Sequence, residues 1–331
     1  MKQRLWLLLF VAVTHLAALS QTDPLMTQYW ALPTAYNPAA AGSSEFLRIA
    51  AAGRMQWVGI ENAPKSFMMV ADSPLPFLQE RVGAGVLVLH EQLGLFRNTA
   101  VELQAVWKFR MGAGRLALGV QGGWFSQHFK GSEAVLTDSD SGAEGAYEEE
   151  GGTGTSAVLT DLAGNAFDFS AGIFWSTNSF YAGAAVTHIF EPSVDLALEG
   201  APQGVLASYQ TVVPRAGYFI IGGNIPIKGT LFEVQPSCLL RTDFHDFNAE
   251  ATLRASWRKF LTIGLGYRWK DAVSAMLGVA FSGFFVGYAY DVPLSDIAKA
   301  SSGSHEIVAG YRLKLDFNKK NNYKHRSIRL M

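Results

Sequence analysis

The groups that could do chemistry in this chain are seven histidines, one cysteine and a scatter of serines and carboxylates. Their spacing does not assemble a catalytic set. The histidines form no H-E-x-x-H pattern, and none has a second histidine within four residues. Gly151-Gly152-Thr153-Gly154 and Gly83-Ala84-Gly85 fall short of a phosphate-binding loop, and glycines in strands commonly serve bends or close packing. Ser304-His305 suggests a hydrolase nucleophile and base. Neighbouring residues of an extended segment point in opposite directions, however, so neither can serve the other. Cys238 stands alone, which excludes an intramolecular disulfide framework and a cysteine-based metal site. Asp138-Ser139-Asp140-Ser141-Gly142 hints at calcium but lacks the EF-hand spacing and its closing Glu. The expectation is a non-enzymatic protein with no cofactor and no metal.

Composition points to a membrane. Of 331 residues, 49% are hydrophobic and 17% charged, against about a quarter charged in ordinary soluble domains. The 27 Lys and Arg nearly balance 28 Asp and Glu, so no basic surface for nucleic acid is expected. Residues 1–20 read as a secretory signal: Lys2 and Arg4, an apolar run from Leu5 to Val13, then Ala18-Leu19-Ser20 for cleavage. As a membrane anchor the run is too short. No later stretch approaches the ~18 apolar residues of a transmembrane helix. An exported, oily chain of this kind fits a closed barrel in an outer membrane.

The strand pattern agrees. Val101, Leu103, Ala105, Trp107 and Phe109 alternate with Glu102, Gln104, Val106, Lys108 and Arg110. Similar alternation runs through 247–257, 261–269 and 307–317, giving each strand one apolar and one polar face. A soluble sandwich would have shorter strands and a small inward face. Fourteen strands are expected, near 46–54, 65–72, 81–90, 98–110, 114–129, 166–176, 179–190, 213–224, 228–241, 246–257, 260–269, 271–281, 283–291 and 306–317. With both termini periplasmic, minimal turns such as Thr177-Asn178 and Arg258-Lys259 face the periplasm. The longest connections, 130–165, 191–212 and 292–305, face outward, as barrels of this class require.

The reading is an all-β, transmembrane antiparallel outer-membrane β-barrel over 46–317. Residues 21–45, with Pro24, Pro33 and Pro38, cannot be an ordinary strand and are expected as a periplasmic plug or cap, or else a loose tail. Loop 130–165 is acidic, with Glu133, Asp138, Asp140, Glu144, Glu148, Glu149, Glu150 and Asp161, and the tail 318–331 is basic. The polar faces carry Glu102, Lys108, Arg110, Glu233, Arg241, Glu250, Arg254, Arg268, Arg312 and Lys314. Those charges would also suit a porin or a hydrophobic-solute channel, the competing reading.

Motifs outside the strands add a resemblance. They are Asp23-Pro24, Gln28-Tyr29, Pro33 and Tyr36-Asn37-Pro38-Ala39; Arg54, Gln56-Trp57-Val58-Gly59 and Ala63-Pro64-Lys65-Ser66; then Tyr290-Asp291, Pro293-Leu294-Ser295 and Gly303-Ser304-His305-Glu306-Ile307. In this order they resemble the PorP/SprF family of type IX secretion membrane proteins of Bacteroidota. The resemblance spans the mature chain, with Ile60 and Glu61 as minor departures and loop 130–165 unmatched. It implies an outer-membrane component that binds, anchors or helps export secreted cargo, including gliding adhesins, that carries a type IX C-terminal domain. Implied partners are outer-membrane lipid and periplasmic secretion or peptidoglycan-binding components. Tyr36, Asn37, Pro38, Gln56, Trp57, Gly59, Pro64, Lys65, Asp291, Ser304, His305 and Glu306 are carried over as docking or structural positions, with no catalytic role.

Overall fold

The computed structural model describes residues 23–75, 81–133, 160–198 and 209–315. The expected signal peptide, most of the acidic loop and the basic tail lie outside them. Fourteen strands among the described residues form the wall: β1 (Phe46–Met55), β2 (Lys65–Pro74), β3 (Val82–Leu93), β4 (Phe96–Met111), β5 (Gly114–Phe129), β6 (Leu162–Ser176), β7 (Phe180–Thr187), β8 (Ala216–Gly223), β9 (Phe232–Thr242), β10 (Phe247–Trp257), β11 (Leu261–Arg268), β12 (Ala272–Phe281), β13 (Phe284–Pro293) and β14 (Ser304–Lys314). Each pairs antiparallel with its neighbours, and β1 pairs with β14 from Phe46↔Lys314 to Met55↔His305. That last pairing closes the ring and leaves no free edge. Ile225–Pro226 extends β8, and an outer hairpin (Ser193–Leu198 with Tyr209–Val212) leans on the start of β6. No helix among the described residues is long and apolar enough to cross a membrane.

Alternation decides which face meets lipid. In β4, Val101, Leu103, Trp107 and Phe109 are exposed, while Glu102, Gln104, Val106 and Lys108 are buried. The pairing register carries this parity around the barrel. One row reads Val286, Ala309, Ala51, Met69, Val88, Val101, Trp124 and Phe167 on eight successive strands. Every member is apolar. The row two residues outward mixes Tyr288, Ile307, Gly53 and Phe67 with His90 and Thr99, so the first row bounds the wholly apolar band and the outer interface lies along the second. Phe109, Phe232, Trp257, Phe281 and Phe284 gather at the other end, where an inner aromatic girdle belongs. Eight residue steps from Val101 to Phe109, at about 3.3 Å each and tilted about 40°, span about 20 Å, close to the ~25 Å apolar band of such barrels.

The register assigns depth to single residues. Leu103 is 68% exposed and sits one pleat inside the outer boundary row, toward mid-membrane. Leu313 lies one pleat beyond the Phe284–Tyr311 pair, at the inner edge. Leu103→Arg is expected to cost about 2–4 kcal/mol and Leu313→Arg about 0–1 kcal/mol. Urea unfolding of the refolded barrels, followed by gel mobility without boiling, would read the difference.

Candidate functional site in the lumen and at the outer seam

Eight-stranded barrels fill their interiors with their own side chains, whereas fourteen strands leave room for more. Residues 23–42 occupy that room. A short 3-10 turn (Tyr29–Ala31), one turn of α-helix (α1, Pro33–Tyr36) and a second 3-10 turn (Pro38–Ala40) follow one another, nearly every residue buried. Pro33 and Pro38 each open a turn, where a missing N–H costs nothing. The segment expected at the periplasmic mouth begins there at Gly42 and continues up through the lumen. At the periplasmic end, Gly42 N–H donates to Asp72 (2.8 Å), Arg48 donates to Asp72 (2.8 Å), and Lys108 Nζ donates to Gly42 O (2.7 Å).

Wall glycines are sockets for the middle of the plug. Asn37 Nδ2 donates to Ile173 O (2.9 Å) and Ala184 O (3.3 Å), lying flat against β6 and β7. A Cβ on Gly172 would sit 2.3 Å from Asn37 Oδ1, and one on Gly119 would sit 2.4 Å from the Ala39 backbone. Only glycine lets the two backbones approach this closely. Above them, Gln104 Nε2 donates to Thr34 O (2.8 Å), Tyr29 hydroxyl donates to Ser237 (3.1 Å), and the Arg254 guanidinium stacks 3.8 Å from the Trp30 ring centroid. Gln104 and Glu102 both bond Gln121, extending the network along β4 and β5.

The outer half of the lumen holds a buried ionic cluster. Arg54 Nη2 donates to Asp291 (2.7 Å), and its Nη1 lies 3.3 Å from Glu306. Glu306 also accepts the Thr27 and Gln28 backbone N–H groups at 2.7 and 2.8 Å. Thr27 Oγ1 donates to Asp291 and accepts from Arg54 (2.8 Å) and Arg268 (3.0 Å). Arg268 in turn reaches Glu250 at 2.9 Å and Asp271 at 3.0 Å. Asp23 anchors the top, accepting from Tyr218 hydroxyl (2.6 Å) and lying 3.1 Å from His188 Nε2. His188 Nδ1 lies 2.8 Å from Asp168. The charges face one another and the plug, so the arrangement holds a segment in place. No cluster of potential metal ligands occurs among the described residues.

The positions singled out from sequence fall into two groups. Tyr36, Asn37, Pro38, Asp291 and Glu306 belong to the lumen, Tyr36 resting against the Tyr218 ring at 5.5 Å. Gln56, Trp57, Gly59, Pro64 and Ser304 build the outer seam. Val58 N–H donates to Gly303 O (2.8 Å), Ser302 N–H to Val58 O (2.7 Å), and Trp57 N–H to Ser304 Oγ (3.1 Å). Gln56 N–H closes the 56–64 loop on Pro64 O (3.0 Å). Trp57, at φ 51°, is half-buried rather than freely displayed. Glu306, expected as an outer rim contact, faces inward because it follows outward-facing His305 by one residue. His305 and Lys65 lie on the outer surface of the wall. Sequence reasoning passed over Thr27, His188 and Asp168; their only signal was a carboxylate or Arg at the matching register position on a neighbouring strand. On the outer surface, Lys130 Nζ and the Ser132 N–H hold the Asp161 carboxyl below its usual range.

The chain is similar to several solved outer-membrane proteins at low identity. A monoaromatic hydrocarbon channel, CymD, is 12% identical, covering 90% of this chain and 95% of its own at a TM-score of 0.48. The Ralstonia pickettii toluene transporter TbuX is 13% identical, covering 84% and 92% at 0.46. The Acinetobacter baumannii outer membrane protein Omp33 is 10% identical, covering 82% and 99% at 0.42. No curated protein matches the sequence. The model of the type IX secretion system membrane protein PorP/SprF family, in contrast, matches residues 18–311, from before the plug to within the last strand. The chain therefore belongs to the PorP/SprF family and is an outer-membrane barrel component of type IX secretion.

Proposed function

We propose that this barrel is a non-enzymatic docking component that holds secreted, adhesin-like cargo at the cell surface through its outer loops. The observation that carries the reading is the filled lumen: residues 23–42 bond to wall strands from Asp72 at one end to Asp291 at the other. A barrel so filled offers recognition surfaces at its ends rather than a conduit. The periplasmic end then faces ring or peptidoglycan-binding components of the same machine, and the outer seam faces cargo with a type IX C-terminal domain.

Trp57 tests the reading. It supplies the aromatic area favoured at binding hot spots, on a loop bonded to the last hairpin. If the seam docks cargo, Trp57→Ala leaves a folded, heat-modifiable barrel and weakens cargo retention by about 2 kcal/mol, roughly 30-fold. If the loop only braces the barrel, cargo falls in proportion to barrel abundance. Unchanged barrel level and unchanged surface cargo would remove Trp57 from both roles.

A further inference from the structure

The outward face of β14, β1, β2, β3, β4 and β5 changes character just above the membrane boundary. At one level the register aligns Tyr290, His305, Met55, Lys65, Gln92, Arg97 and His128 on seven successive strands. One pleat lower stand Tyr288, Ile307, Gly53, Phe67 and His90. Five basic or titratable nitrogen side chains thus ring one sector, and no Asp or Glu occupies either row. Glu133 from the following turn reaches Arg97 at 3.0 Å. In the opposite sector the β9–β10 connection presents Asp243 and Asp246 on either side of His245.

A groove lies beneath the middle of this row. Gly53, Ala51 and Ala309 line the outward face of the β1–β14 seam, and a Cβ on Gly53 would meet nothing within 4 Å. Phe67 and Met69 flank it on β2, and Ile307 and Tyr288 on the other side, all substantially exposed. The groove descends from Lys65 and His305 into the apolar band. Tyr288 hydroxyl and His305 Nδ1 are 2.7 Å apart, which fixes the imidazole at the groove's upper end.

We infer that this seam is a binding site for a phosphate-bearing lipid of the outer leaflet. Lys65 and His305 take the anionic headgroup, and one acyl chain lies along Gly53, Ala51 and Ala309. The choice of occupant rests on charge complementarity at headgroup level joined to an apolar trough at acyl depth. A protein partner would have no reason to need that vertical order. The inference is independent of cargo docking at the loops above.

The test uses the full-length barrel in dodecyl maltoside, mixed with lipid A or with the same lipid stripped of its phosphates. After re-isolation, bound lipid per barrel is counted by native mass spectrometry. The wild type is expected to retain lipid A well above the dephosphorylated form. Lys65→Glu removes the headgroup contact and Gly53→Leu fills the trough; each is expected to cut retention about five-fold or more. Lys270→Glu, in a turn of the other sector, is expected to leave it unchanged. Equal retention of the two lipids would overturn the proposal. So would an unchanged Gly53→Leu variant, which reduces the effect to diffuse surface charge, or an equal loss in Lys270→Glu. Gel mobility without boiling checks that each variant is folded.

Discussion

Arg54→Ala is expected to be the most damaging single substitution in the lumen. Its guanidinium bonds Asp291, Thr27 and Glu306 at once, with side-chain exposures of 2%, 3% and 0% for Arg54, Asp291 and Glu306. Removing it leaves two buried carboxylates facing each other, offset by Arg268, the Thr27 hydroxyl and the plug's own N–H groups. Breaking one side of a buried pair in this way costs about 3–5 kcal/mol. Arg54→Lys should recover part of the loss, since it keeps the charge but not the fork that reaches three acceptors. Lys299→Ala makes the contrast. Its 2.7 Å bridge to Asp296 is almost fully exposed, and surface pairs of that kind contribute about 0–1 kcal/mol. Thermal midpoints of heat-modifiability would rank the three variants.

The wall was legible from sequence because lipid imposes a strict rule on it. Outward positions within the apolar band must be apolar, so alternation over ten residues marks both the strand and its parity. All fourteen expected segments overlap the strands found; the largest shifts are at the starts of β6, which opens at Leu162 rather than 166, and β9, which opens at Phe232 rather than 228. The seventh strand, expected to 190, stops at Thr187 because His188 adopts φ 52° and turns inward to Asp23 and Asp168. What alternation cannot reveal is what the polar face meets. Glu102, Lys108, Glu250, Arg254 and Arg268 would read identically against water and against a plug. Residues 23–42 have no period at all, and their prolines exclude a strand without saying where the segment lies. Gly172 and Gly183 look like strand bends in the sequence; in the structure they are the wall under Asn37. The motif Ser304-His305-Glu306 reads as one patch, yet a strand must send its middle residue to the opposite face from its neighbours. The acidic stretch 134–159 and the basic tail fall outside the described residues.

Emptying the lumen should have the largest functional effect. Deleting residues 24–42 removes the turns from Tyr29 to Ala40 together with the partners of Arg54, Gln104, Lys108, Arg254 and Arg268. A fourteen-stranded ring without them is wide enough for water, between the filled eight-stranded and the open sixteen-stranded cases. The lumen-facing charges of the wall then line an aqueous channel, so the deletion is expected to conduct like a porin. Because the deletion also removes buried hydrogen bonds that support the wall, a gentler change serves as its companion. Gly119→Ala places a methyl 2.4 Å from the Ala39 backbone, so the plug must move off the wall there, and the change should loosen it while keeping every charge.

The conductance of the intact, refolded chain in planar lipid bilayers bears most directly on the central claim that this is a plugged docking barrel. The filled lumen predicts little or no steady current at modest voltage, with channels appearing in the 24–42 deletion and fluctuating openings in Gly119→Ala. A large, stable conductance from the intact protein would contradict the account and return the barrel to the porin or solute-channel reading.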